Sequence, residues 1–210
     1  MAYGIGLYNT NGKVFASPDT PCMHFSHKVP FSVSGATTNH LVSLGLSVNS
    51  RVVAYCRTDR GVSVYGGITN INGVWHQSIT AQAAVNGTLY VFTNDVPPSD
   101  SRYGLEMYGA DGRRTYSTAC RPLANLTGSL SRNGTIIYTR SPAVIPVPCE
   151  YWVQKIQQGQ NVQLWIGAPV AYGDHVQFIA RGSAIMPSET GFGFEVFGGT
   201  VNYIDTTHYD

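Results

Sequence analysis

Short runs rich in β-branched and aromatic residues recur along the chain, with polar and turn-forming residues between them. Ile5-Gly-Leu7-Tyr8, Arg51-Val-Val-Ala-Tyr-Cys56, Val62-Ser-Val64-Tyr65, Thr88-Leu-Tyr-Val-Phe92, Thr135-Ile-Ile-Tyr138, Val162-Gln-Leu164-Trp165-Ile166 and His175-Val-Gln-Phe-Ile179 all have strand length and strand composition. The punctuation is equally consistent. Asn11-Gly12, Asn72-Gly73, Asn86-Gly87, Asp111-Gly112 and Asn133-Gly134 are dipeptides that favour hairpin turns, because a type I′ turn needs positive φ at both central residues. Only Glu150–Gln158 could form a short helix, and Tyr151, Trp152 and Val153 make strand equally acceptable there. The pattern predicts an all-β chain organised in hairpins.

Self-similarity refines this picture. Pro98-Ser-Asp-Ser-Arg-Tyr-Gly-Leu-Glu-Met-Tyr-Gly109 aligns with Pro187-Ser-Glu-Thr-Gly-Phe-Gly-Phe-Glu-Val-Phe-Gly198 at five identical and six conservatively changed positions of twelve. Tyr3-Gly-Ile-Gly-Leu-Tyr-Asn-Thr-Asn-Gly12 repeats the signature of Tyr103-Gly-Leu-Glu-Met-Tyr-Gly-Ala-Asp-Gly112, and a cysteine follows each, Cys22 and Cys120. Weaker correspondences link the stretches between: Ala54–Arg57 with Ile137–Arg140, Tyr65 with Trp152, Trp75 with Trp165. The order motif, body, motif, body, motif predicts two tandem β-sandwich-like domains from an internal duplication, 1–97 and 98–210. A third copy of the opening hairpin closes the second.

Within the motif, strand geometry puts Tyr3, Ile5 and Leu7 on one side, as it does Tyr103, Leu105 and Met107, and Phe192, Phe194 and Val196. That apolar side is expected to lie on a core. Tyr8, Tyr108 and Phe197 would begin the turns, with Gly12 and Gly112 completing the first two. Gly4, Gly104 and Gly193 would mark bulges or close backbone approaches. Thr200-Val201 replaces Asp-Gly in the third copy, whose turn must differ.

These hairpins, Tyr3–Gly12, Tyr103–Gly112 and, less fully, Phe192–Gly199, resemble those of small tail proteins of tailed bacteriophages, the minor tail, tail-tip or tail-fibre-associated proteins. Gly6 departs from the pattern where the second copy has Glu106, and the third copy lacks the glycine after its turn. The resemblance implies a non-enzymatic structural component of the virion tail, at the tip or fibre-attachment region, synthesised in the host cytoplasm. Its implied partners are other tail proteins, with several copies in a symmetric assembly, and a host surface glycan or receptor is a further implied contact.

Composition narrows the classes. The 210 residues carry 13 Lys+Arg against 12 Asp+Glu, a net charge of +1, and only 12% are charged. No basic excess points to nucleic acid, and no apolar run reaches the roughly 20 residues of a membrane helix. The opening Met1-Ala-Tyr-Gly-Ile-Gly-Leu-Tyr8 has neither a basic nor a long apolar segment, so the expectation is a chain folded in a cytoplasm without membrane insertion. Scarce charge suits a surface that packs against neighbouring subunits, since few ions must be desolvated. It suits lectin-like domains as well. Cys22, Cys56, Cys120 and Cys149 are accordingly expected as free, mostly buried thiols. Asn86-Gly-Thr, Asn125-Leu-Thr and Asn133-Gly-Thr fit the glycosylation pattern but are read as turns.

Catalytic and cofactor signals are sparse. Cys22-Met-His24-Phe-Ser-His27 groups metal-ligand types, but no third or fourth ligand is indicated, and packing of a cysteine after a hairpin accounts for it. Gly61-Val-Ser-Val-Tyr fails the nucleophile-elbow pattern at its last position. Glu106 and Glu195 occupy matched repeat positions, which points to structure rather than to a catalytic pair. Gly191–Gly199 is glycine-rich without a following helix to bind phosphate. No cofactor is expected. Trp152 and Trp165 read as core residues, while Tyr65, Trp75 and His76, near the Asn72-Gly73 turn, are the candidate interface residues. The alternatives to a tail component are a carbohydrate-binding module, with Trp75 in its site, and a small hydrolase.

Overall fold

The structure is a computed structural model, and it describes residues 6–8, 10–17, 21–96, 104–130, 136–148, 150–155, 161–187 and 199–210. It is all-β. In chain order the strands are β1 (Leu7–Tyr8), β2 (Val14–Ala16), β3 (His24–Val33), β4 (Thr37–Ser47), β5 (Val52–Thr58), β6 (Val64–Tyr65), β7 (Ile68–Ile71), β8 (Val74–Ala81) and β9 (Val85–Thr93). They continue with β10 (Glu106–Tyr108), β11 (Arg114–Ser117), β12 (Leu126–Ser129), β13 (Ile137–Tyr138), β14 (Pro142–Val144), β15 (Glu150–Lys155), β16 (Asn161–Tyr172), β17 (His175–Pro187) and β18 (Thr200–Asp205). A short 3-10 turn, Thr206–His208, follows. The ambiguous stretch at Glu150 is strand through Lys155, paired with β16 in the register Trp152 opposite Trp165.

A six-stranded sheet, β12-β18-β14-β5-β9-β3, is the centre of the molecule. It draws strands from both sides of the 97/98 boundary. β14 joins β5 through Val144 opposite Cys56, so within the described residues one sheet spans the two expected units. The burial pattern explains why the sheet tolerates layers on both faces. In β9, Leu89 and Val91 point to one side and Tyr90 and Phe92 to the other, and all four are buried. A strand covered twice reads as a continuous apolar run.

The aliphatic face carries two smaller sheets. Over its β5-β9-β3 end lies β4-β8-β6, with β7 also paired to β8, enclosing Leu44, Ala54, Cys56, Val64, Ile79, Leu89 and Val91. Over its β12-β18-β14 end lies β13-β17-β16-β15, enclosing Leu130, Val144, Ala171, Val176 and Val201. The opposite face is aromatic. Phe92 meets Tyr209, Tyr55 and Phe25 at centroid distances of 4.9, 5.6 and 5.7 Å, in edge-to-face arrangements. Tyr209 is fixed there by donating its hydroxyl to the Pro122 carbonyl and accepting from the Ala124 amide, both at 2.9 Å.

Turn chemistry follows the expectation in part. Asn72 and Gly73 have φ of 51° and 81°, the paired positive values that a type I′ hairpin between β7 and β8 requires. Asn86-Gly87, in contrast, is not a turn but lies inside β9, opposite Ser32 and Phe31 of β3. The glycine is required there by close approach: a Cβ would drive into the Phe31 ring and come within 2.8 Å of the Arg57 carbonyl. Asn86 uses its polar side chain laterally, donating to Asp59 at 3.0 Å and accepting from Ser32 at 2.8 Å. Asn133-Gly134 lies outside the described residues.

Candidate interface: the paired hairpins

The two described motif copies form separate two-stranded antiparallel hairpins, β1-β2 and β10-β11. Their registers match at an offset of 100 residues. Leu7 opposes Ala16 and Tyr8 opposes Val14, as Met107 opposes Tyr116 and Tyr108 opposes Arg114, and each pair of contacts brackets a bulge. Gly12 and Gly112, at φ of 72° and 75°, close the two turns. Asn11 and Asp111 are not in the positive-φ region, so each turn uses one left-handed residue and a bulge in place of the type I′ pair.

The hairpins share one small core. Ala16 and Cys22, beside the first, are buried with Met107 of the second, and Leu7 and Tyr116 pack against them. Leu7 and Met107 thus occupy the expected apolar side, while Leu105 is one-third exposed. The Cys22 amide donates to the Thr115 carbonyl at 3.1 Å, stitching the first unit to the second hairpin. Arg113, at the second turn, pairs with Asp95, whose carboxylate also accepts from Ser50. Gly104, at φ of 152°, faces Thr118 so closely that a Cβ would collide with the threonine hydroxyl oxygen. That oxygen accepts from the Leu105 amide at 3.0 Å.

With the apolar side used internally, the tyrosines that begin the turns face outward: Tyr8 is 65% exposed and Tyr108 48%. Their seats differ at one position, and the sequence mismatch explains how. The Tyr8 ring lies over Gly6, where an added Cβ would come within 3.1 Å of it. At the corresponding position Glu106 accepts the Tyr108 hydroxyl at 2.5 Å, and Arg114 stands 5.7 Å from the ring centroid and 3.4 Å from the Glu106 carboxylate. Tyr8 is therefore held by packing, and Tyr108 by a charged clasp. Tyr3, Gly4, Tyr103, Phe192, Gly193, Phe194 and Phe197 lie outside the described residues.

The other candidate residues sit on the β4-β8-β6 sheet, and alternation divides them. Trp75 shares the inner side of β8 with Gln77, Ile79 and Ala81; it packs on the aliphatic core and donates its indole N–H to the Ser50 carbonyl at 2.9 Å. His76 lies on the outer side, and Tyr65, one residue after the Val64–Ala81 pair and opposite Thr80, lies on that side too. Both are half-buried. Trp75 therefore does not share a surface with Tyr65 and His76.

A second exposed aromatic group has little local signal in the sequence. Tyr138 is 72% exposed, its ring 6.0 Å from His175, which in turn lies 4.3 Å from Tyr172. The Asp174 carboxylate sits 2.9 Å from His175 Nδ1, and this hydrogen bond holds the carboxyl below the usual carboxylate range. Its only sequence signal is an aromatic next to a turn. The pairing of β13 with β17 brings Tyr138 and His175 together in register.

Buried titratable groups meet at the hairpin junction. Cys22, His24, Tyr116 and Cys120 line one crevice. Burial, reinforced by nearby Cys120, pushes the Cys22 thiol up to about 11. Burial also lowers His24, against the opposing effects of backbone bonds with Cys22 and Asp95. Among the described residues no three His, Cys, Asp or Glu side chains come together to hold a metal, and no helix is long and apolar enough to cross a membrane.

Comparison with known proteins yields one match. The model of a family of unknown function, DUF6453, matches residues 32–171. No curated protein and no solved structure matches the chain.

Proposed function

The chain belongs to this family of unknown function, and we propose that it is a non-enzymatic structural component of a bacteriophage tail, at the tip or fibre-attachment region. It docks to other tail subunits through the paired hairpins. The observation that carries this reading is the matched pair of hairpins, in equal register, sharing a core and presenting Tyr8 and Tyr108 outward. A tyrosine offers a large rigid contact with a polar end, a side chain favoured at interface centres. Two such positions, 100 residues apart in sequence and carried on hairpins that share a core, suit an assembly whose subunits repeat around an axis. Internal duplication of an ancestral hairpin-plus-body unit accounts for both the register and the shared motif.

Scarcity of charge supports the same reading, and so does the resemblance of the hairpins to small phage tail proteins. The test is mass spectrometry of purified particles from the source together with immunogold labelling. Peptides of this chain in constant stoichiometry, with gold at the distal tail, are the expected result. Absence from particles would overturn the proposal.

One observation favours a second reading, a glycan-binding module. Tyr138, His175 and Asp174 combine an exposed ring with hydrogen-bonding groups, the combination that sugar faces require. Binding of the isolated protein to host polysaccharide, lost in Tyr138→Ala, would establish it. The two readings are compatible if the chain also contacts a host surface.

A further inference from the structure

We infer that Cys22 and Cys120 form a disulfide that locks the opening hairpin onto the second hairpin when the protein meets an oxidant such as hydrogen peroxide. The two cysteines follow the two motif copies, and folding brings them to the same crevice, which they line with His24, Tyr116, Ser117 and Pro122.

Three backbone connections hold the flanking segments together. The Cys22 amide donates to Thr115, the Phe25 amide to Arg121 at 2.7 Å and the Leu123 amide to Met23 at 2.8 Å. His24 also forms a bridge pair with Pro122. The cysteines thus lie on two segments already bonded to each other, Cys22 just before β3 and Cys120 just after β11, and the S–S link adds a covalent tie across an existing junction. Cys56 offers no such partner site. It is fully buried in the aliphatic core, and burial alone pushes its thiol up to about 12.

Accessibility sets the order of steps. Cys120 is partly exposed and Cys22 is buried, so peroxide reaches Cys120 first. The Cys120 sulfur attacks one peroxide oxygen, the O–O bond breaks, and a sulfenic acid and one water result. The Cys22 sulfur then attacks the Cys120 sulfur, the S–O bond breaks, and hydroxide leaves and takes up a proton to become the second water. The proton that Cys22 gives up, directed in the reduced protein at the Met23 carbonyl 3.3 Å away, is the one the leaving hydroxide takes up. Two thiols lose two electrons and two protons, and one peroxide is reduced to two waters. Because the thiols' reactivity is suppressed by burial, the link forms slowly and only under oxidising conditions. A chain made in a reducing cytoplasm would acquire it after leaving the cell.

The experiment is non-reducing peptide mapping of the folded full chain before and after mild peroxide treatment, with dithiothreitol reversal and thermal melts of each sample. The expected result is one joined peptide pair, Cys22 with Cys120, lighter than the free peptides by two hydrogens, and a melting temperature raised by several degrees. Dithiothreitol should abolish both changes. Cys120→Ser, a near-isosteric change at a partly exposed position, should keep the far-ultraviolet circular dichroism and lose both the link and the melting response. Cys149→Ser should retain them. Joining chiefly to Cys56 or Cys149 would overturn the inference. So would oxidation of Cys120 to sulfinic acid with Cys22 left free, or an undiminished melting response in Cys120→Ser.

Discussion

The six-stranded sheet and the hairpin pair stand at opposite ends of one design. The sheet is covered on both faces, and its aromatic side locks Phe92 among Phe25, Tyr55 and Tyr209. The hairpins bury a single side against each other around Ala16, Cys22 and Met107 and turn Tyr8 and Tyr108 to the surface. The difference separates tasks by residue. Removing a side chain from the sheet should cost stability and carry any functional loss with it. Removing an outward hairpin tyrosine should cost contacts and leave the fold intact.

Phe92→Ala tests the first half of that contrast most severely. Emptying the centre of the aromatic cluster should destabilise the protein by about 3–5 kcal/mol in urea unfolding monitored by tyrosine and tryptophan fluorescence. Met107→Ala, in the smaller hairpin core, should cost about 2 kcal/mol, the low end for a buried methionine, because few side chains surround it. Hydrogen exchange should show its effect confined to β10, β11 and the Cys22 segment. A loss as large as that of Phe92→Ala would mean that the hairpins are integral to the main core.

A smaller effect concerns acid. Burial pushes the Asp210 carboxyl up, but hydrogen bonds from Tyr90, Thr206 and Lys28 outweigh it and leave the group below its ordinary value. A carboxyl lower in the folded than in the unfolded chain contributes stability above the unfolded pKa and loses it as pH falls through the folded one. Melting temperature should therefore decline below about pH 4, and Asp210→Asn should flatten that decline while lowering the neutral-pH value. The effect should be modest, since the side chain is half exposed and screened.

The sequence made the sheet legible strand by strand but not in its assembly. Thr88–Phe92 is recognisable because a doubly covered strand must be apolar throughout. Its neighbour β3, and β4 in the sheet above, escape the strand pattern, since both are edge strands whose outer positions are Ser, Lys, His, Thr and Asn. Pro30 lies in β3, a position open to proline because an edge strand has one side without a ladder. Pairing of Cys56 with Val144 across 88 residues leaves no local mark, so a sheet common to both halves of the chain could not be read.

Asn86-Gly87 shows the opposite failure. Local turn grammar pointed one way, and the tertiary demand for space beside Phe31 decided otherwise. At the candidate interface, motif alternation correctly separates Leu7 and Met107 from Tyr8 and Tyr108, because strand periodicity is a local property. That the two hairpins meet each other, and that Cys22 and Cys120 share a crevice, depends on contacts across about 100 residues. Trp75 and His76 are adjacent in sequence, and by the same alternation they face opposite sides of β8.

The smallest predicted effect on stability carries the largest predicted effect on function. Tyr8→Ala with Tyr108→Ala should change unfolding free energy by no more than about 0.5 kcal/mol per site, because Tyr8 lies mostly in solvent and the clasp on Tyr108 is a surface ion pair and hydrogen bond of small net worth. The decisive measurement is incorporation of this double variant into purified particles, quantified by mass spectrometry against wild type, with its melting temperature recorded alongside. The account predicts a variant that melts like wild type and is lost from the particles. A variant incorporated at the wild-type level would contradict docking through the paired hairpins.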